Sequence, residues 1–185
     1  MGANLLEVRK GDLVAYDPVR DRARLFLSQD NFRRRDGSRG GSANIDAVFV
    51  HTDGTLLLST SAAARLGAPP HTLEMSKGDL VLYDPVADTA RVVLGSEIYR
   101  TRGGEPGAVA DIDAVHWLGG GRLLFSTFAA ERVGANALLV KDGDVILYDS
   151  AADTAEVFMQ ERTFRRSNGD LGGAADIDGL SMGRR

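Results

Sequence analysis

The stretch from Gly78 to Leu94, GDLVLYDPVADTARVVL, is written three times in this chain. Its near-copies are GDLVAYDPVRDRARLFL from Gly11 and GDVILYDSAADTAEVFM from Gly143, at steps of 67 and 65 residues. The same steps relate Asp46, Asp113 and Asp178. They also relate Phe32, Tyr99 and Phe164, followed in turn by Arg33, Arg100 and Arg165. Three anchors in one register constrain the fold more than composition does. Each copy has to be one supersecondary unit that buries its apolar faces against its neighbours.

One unit reads from Ile45. IDAVFV is a short run of β-formers, HTDGT a hairpin turn signalled by Asp-Gly, and LLLST the returning strand. A longer connection leads to DLVLYD, a tight turn in which Asp84 and Pro85 suit the first two positions of a type I turn, and a fourth strand, TARVVL. The strands are nearly continuous apolar runs, as expected of sheets covered on both faces. Four short strands per repeat is the pattern of propeller blades. The expected fold is therefore all-β, a β-propeller-like array of four-stranded meander blades with a repeat of about 66 residues. Residues 1–185 form a single repeat domain. Segment 1–44 supplies strands three and four of a partial unit, 45–111 and 112–176 are full units, and 177–185 is the first strand of another. Within the long connections, SAAARLGA and FAAERVGA read as a turn or two of helix ended by Gly67 and Gly134. Fewer than three blades fall short of the roughly four to eight of a closed ring. The expectation is an open or incomplete ring that self-associates through exposed sheet edges, or a fragment of a longer array.

The pattern DIDAV…DG.LL.ST…GDLV.YDP resembles that of bacterial tandem β-repeat proteins carrying DIDA and GDLVxYDP units. The resemblance spans nearly the whole chain. It implies a propeller-like architecture without assigned activity, and it hints at exported proteins. Such units commonly carry an acidic Gly-Ser loop ahead of DIDA, whereas here that loop is the arginine-rich NFRRRDGSRGG.

Composition removes several classes of function. The chain has no cysteine, which excludes a thiol nucleophile, a disulfide framework and cysteine-ligated metal. Its net charge is −4 and it has three lysines, so neither nucleic acid nor membrane is an expected partner. The N-terminal MGANLLEVRKGD has no apolar core of a signal peptide, and the compartment stays open. The three histidines share no repeat register, and no nucleophile elbow, phosphate loop or HExxH motif occurs.

The candidate site follows from connectivity. In a meander, the long second-to-third loop and the link to the next unit fall at one end of the sheet, and loops on a rigid scaffold carry binding. At that end stand Asp46, Asp111, Asp113, Asp176 and Asp178, ahead of or at the start of first strands, and the repeated aromatic–arginine pairs Phe32–Arg33, Tyr99–Arg100 and Phe164–Arg165. The aspartates can hold loop amides, pair with those arginines, or form an oxygen-rich ring suited to calcium. No cofactor is expected otherwise. The reading is a non-catalytic binding or interaction scaffold for a protein or small ligand. The alternative is a metal-assisted hydrolase or lyase using the aspartates.

Overall fold

The computed structural model describes residues 2–107, 110–164, 177 and 179–181. It is all-β, built from several small antiparallel sheets. The strands are β1 (Leu13–Asp17), β2 (Arg22–Leu27), β3 (Ile45–Val50), β4 (Leu56–Thr60), β5 (Ala64–Leu66), β6 (Leu73–Met75), β7 (Leu80–Asp84) and β8 (Thr89–Leu94). They continue with β9 (Tyr99–Arg100), β10 (Ile112–Gly119), β11 (Arg122–Thr127), β12 (Glu131–Val133), β13 (Leu138–Val140), β14 (Val145–Asp149) and β15 (Thr154–Met159).

Units two and three are four-stranded antiparallel meanders in the orders β3-β4-β7-β8 and β10-β11-β14-β15, and β1-β2 is the matching pair of unit one. The β7–β8 turn shows why the sequence folds this way. The Asp84 carboxylate accepts from the amides of Val86 (2.8 Å) and Ala87 (3.0 Å). The chain then re-enters the sheet through Asp88 at φ 51°, a left-handed conformation that a short polar side chain tolerates. Asp17 with Asp21, and Asp149 with Asp153, repeat this turn.

The continuous apolar runs divide by parity. Leu56, Leu58, Val81 and Tyr83 belong to one core with Leu27 and Phe32 of unit one. Leu57 and Leu80 point the other way, into a second core with Ile98, Tyr99, Val115, Phe125, Ile146 and Tyr148. Each core is thus shared between successive units, so β4 is buried along its whole length. That is the reason LLLST shows no polar alternation. Each fully buried leucine or aromatic contributes about 1.5–3 kcal/mol, so the contacts between units are a main source of stability.

One expectation is corrected. SAAARLGA and FAAERVGA form no helix. Ala64–Leu66 and Glu131–Val133 are strands, paired with Leu73–Met75 and Leu138–Val140 in small hairpins. Gly67 (φ 89°) and Gly134 (φ 74°) turn these hairpins instead of capping helices. Alternation decides this: Ala64, Leu66 and Val133 face inward while Arg65 and Arg132 between them do not, so a two-residue period beats the helical propensity of the alanines. The unit is therefore a meander with an extra hairpin in its long connection. Of the expected first strand at 177–185, only Ile177 and 179–181 are among the described residues. There, the Ser126 hydroxyl donates to the Ile177 carbonyl at 3.0 Å.

Candidate functional site

The aspartates that open the third strands are structural. Asp12 accepts from the amides of Arg9 and Gln29, each at 2.7 Å. Asp144 accepts from those of Lys141 (2.9 Å) and Glu161 (2.7 Å). Asp79 holds Ser76 (2.7 Å) and Ser96 in the same way. One carboxylate thereby ties the start of the third strand to the chain leaving the fourth. Burial pushes Asp12 upward, but the two amides and Arg9 more than offset this and hold it below its ordinary value. At Asp79 burial outweighs its two amides and the value is raised. The glycine before two of these aspartates has its own reason. At Gly78 (φ 80°) a Cβ would overlap the Ala110 carbonyl oxygen, and at Gly11 (φ 90°) that of Ala43.

The aromatic–arginine pairs join one unit to the next. Phe32 and Tyr99 are fully buried. The Arg33 amide donates to the Arg65 carbonyl in β5, and β9 pairs with β12, so each segment adds an edge to the small hairpin of the following unit. The Arg33 guanidinium donates to Asp88, and that of Arg100 to Asp153 at 2.7 Å. The other oxygen of each acceptor takes a tyrosine hydroxyl, Tyr83 on Asp88 at 2.9 Å and Tyr148 on Asp153 at 2.7 Å. Burial first, then hydrogen bonding and charge, push the Tyr83 phenol up to about 12 and the Tyr148 phenol higher still. Of the three alternatives for the DIDA-region aspartates, pairing with Arg33 and Arg100 is therefore not the one found. The turn aspartates at left-handed backbone positions take them, because hairpin addition carries each arginine past the strand entry to the turn. Asp21, Asp88 and Asp153 share a repeat register, and that was the signal available for finding them.

The remaining carboxylates meet at the long-loop end. Asp46 Oδ1 accepts from the Asn44 side chain at 3.0 Å. Asp46 Oδ2 and Asp111 Oδ1 are both buried without a donor from the described protein groups. The two side chains lie within hydrogen-bonding reach, and burial, followed by the Asp111 charge and hydrogen bond, pushes Asp46 up to about 6. Protonated, Asp46 gains an O–H that can donate to a carboxylate, which two ionised carboxylates cannot do for each other. Lys77 Nζ sits 3.0 Å from Asp111 Oδ2, and its charge also acts on Asp46 and on Glu131, which burial raises. Asp113 is buried nearby in sequence at the start of β10. Among the described residues, no group of three or more His, Asp or Glu side chains is arranged to hold a metal ion. Asp46 takes up its proton near pH 6.

Of the predicted site residues, the structure brings Asp46 and Asp111 together and sends Phe32, Arg33, Tyr99 and Arg100 into contacts between units. Phe164 is half-buried at the end of β15's following turn. Arg165, Asp176 and Asp178 lie outside the described residues. Sequence reasoning missed Lys77 and Glu131, although Lys10, Lys77 and Lys141 all precede third strands. Two of the three histidines pack as rings, His116 and His51 each lying 4.9 Å from Phe49, edge-on. Beside them a cleft of about 180 Å³ is lined by His51, Leu57, Leu82, Arg91 and Trp117 among others. Among the described residues, no helix is long and apolar enough to cross a membrane. No protein-family model matches the chain, and comparison with curated proteins finds no match.

Proposed function

We propose that the chain is a non-catalytic binding scaffold, a propeller-type array akin to the tandem β-repeat proteins with DIDA and GDLVxYDP units, whose long-loop end faces its ligand. The observation that carries this reading is the use of the repeated polar residues. Asp12, Asp79 and Asp144 hold loop amides, and Arg33 and Arg100 lock to Asp88 and Asp153 of the next unit. What recurs in register builds the array. What differs between units, the loops themselves, is left to recognise a partner. Contact between the first strands, with Phe49 against His116 at 4.9 Å, supports a blade arrangement in which those strands lie innermost.

A second reading, cation-assisted hydrolysis or elimination, is favoured by one observation, the Asp46–Asp111 carboxyl pair. Thermal melting at pH 7.5 with millimolar calcium or with EDTA separates the two. The scaffold reading predicts equal Tm values within about 1 °C. Stabilisation by several degrees, lost in Asp46→Asn and Asp111→Asn, would transfer the weight to the second reading.

A further inference from the structure

The face of unit two that meets unit three departs from its counterpart in unit one at one place in register. In unit one the Arg24 guanidinium lies over the Phe26 ring, 5.4 Å from its centroid, so that cation is spent on a neighbour in its own strand. The same positions of β8 hold Arg91 and Val93. The ring is gone and the arginine stays. Val50, in the first strand of unit two, becomes Trp117 in the first strand of unit three. An aromatic ring has thus moved from the fourth strand of one unit to the first strand of the next. Between these positions lies a cleft of about 180 Å³, lined by Leu57, Leu82, Arg91 and Val93 of unit two and Trp117 of unit three, beside the His51–Thr55 turn. In unit three the same two positions are Glu156 and Phe158, so the combination of free cation and missing ring belongs to unit two.

The lining names the ligand. Leu57 is buried, and Leu82, Val93 and Trp117 are partly buried against the core shared by the two units, which leaves an apolar surface suited to a ring. The Arg91 guanidinium makes no ion pair or hydrogen bond among the described residues. Asp53 lines the same cleft and Asp84 a smaller one next to it that Arg91 also borders, but both are held by their own turns. Asp53 accepts from the Thr55 amide at 2.9 Å and its hydroxyl at 2.7 Å, and Asp84 accepts from the amides of Val86 and Ala87. The His51 ring lies 6.0 Å from that of Trp117. Its nitrogens have no partner among the described residues, and an imidazole always carries an N–H to donate. A cavity of about 150 Å³ is enough to hold a benzene molecule, so this one takes a single ring with a small planar substituent.

We propose that the cleft between units two and three is a binding site for a small aromatic carboxylate, with the ring against Trp117 and Leu82 and the carboxylate on Arg91, assisted by His51. The guanidinium offers the two-point pairing that a carboxylate accepts, and Trp117 supplies the ring contact that Phe26 gives Arg24 in unit one. The site stands beside a short turn and not at the long-loop end, so this inference and the scaffold reading can fail separately.

Trp117 is the sole tryptophan of the chain, and its fluorescence reports on the cleft directly. The experiment titrates the full 185-residue chain with benzoate at neutral pH and constant ionic strength, exciting tryptophan alone. A saturable change with a Kd of about 1 mM is expected, the range open to so small a ligand. Arg91→Met keeps the apolar stem, removes the cation and should weaken binding about tenfold or more. Val93→Phe restores the ring of unit one and should abolish binding. Benzylamine, the same ring with the opposite charge, should not bind. Circular dichroism checks that each variant is folded. Arg91 is exposed, and if Val93→Phe does not fold, Arg91→Met and benzylamine decide. A wild-type response that does not saturate would overturn the inference. So would benzoate binding unchanged in Arg91→Met, or benzylamine binding as tightly as benzoate, which would give the cleft to Asp53.

Discussion

Replacing Asp46 with asparagine should stabilise the protein at neutral pH and leave it unchanged in acid. In the folded chain burial, then the Asp111 charge and hydrogen bond, raise Asp46 from an ordinary 3.8 to about 6, with Lys77 and Lys10 pulling the other way. Between those values the folded state holds a proton that the unfolded state has released. Stability therefore falls as pH rises from about 4 to about 6 and is level above that. The full rise would be worth about 3 kcal/mol. Asp46 keeps contact with solvent, which screens the penalty, and about 1 kcal/mol is the magnitude to expect. Asparagine preserves the acceptor for Asn44 and supplies Asp111 with a neutral N–H donor in place of the shared proton. Urea unfolding of both proteins at pH 4, 5, 6 and 7.5 measures the effect. The variant should gain about 1 kcal/mol at pH 7.5, or about 2–4 °C in Tm, and nothing at pH 4. A variant less stable than wild type at pH 7.5, or one that keeps the fall between pH 4 and 6, would refute the proton-sharing account.

Gly78→Ala forces a Cβ onto the Ala110 carbonyl oxygen at a backbone angle of φ 80°, and should cost about 2–4 kcal/mol in chemical unfolding, whereas Gly54→Ala, where a Cβ meets nothing within 4 Å, carries only the left-handed backbone penalty of about 1–2 kcal/mol. Asn136→Ala removes both side-chain bonds to Ala155, at 2.8 and 3.0 Å, and should lower stability by about 1–2 kcal/mol; Asn4→Ala, which removes the matching bonds to Ala23 beside the half-exposed Tyr16, should cost less than half of that by the same measurement.

Period and strand content were legible because they are written locally. LLLST, DLVLYD and TARVVL keep β-propensity and turn signals in every copy, and Asp84 turns the chain where the sequence says it should. The small hairpins were not legible. Ala64, Arg65 and Leu66 have helical propensity, their alternation runs over only three residues, and the partners that fix them as a strand, Leu73–Met75 and the Arg33 amide, lie outside the segment. The destination of the arginines was hidden for a similar reason. Arg33 and Asp88 are 55 residues apart, and Arg100 and Asp153 are 53 apart. Only the recurrence of aspartate at 21, 88 and 153 marks the acceptor, and in isolation each of those residues is explained by its turn. The carboxyl pair was half legible. Asp46 and Asp111 sit two residues apart in repeat register, but their meeting needs the end of one unit to lie beside the start of its own first strand.

The claim beneath all of this is that each unit is locked to the next by arginine on a turn aspartate. A double-mutant cycle on Arg100→Met and Asp153→Asn, read by urea unfolding at pH 7, tests it most directly, since Arg100 is largely buried and bonds Asp153 at 2.7 Å across the junction. The lock predicts a coupling energy of about 1–2 kcal/mol between the two substitutions. Effects that simply add would contradict it.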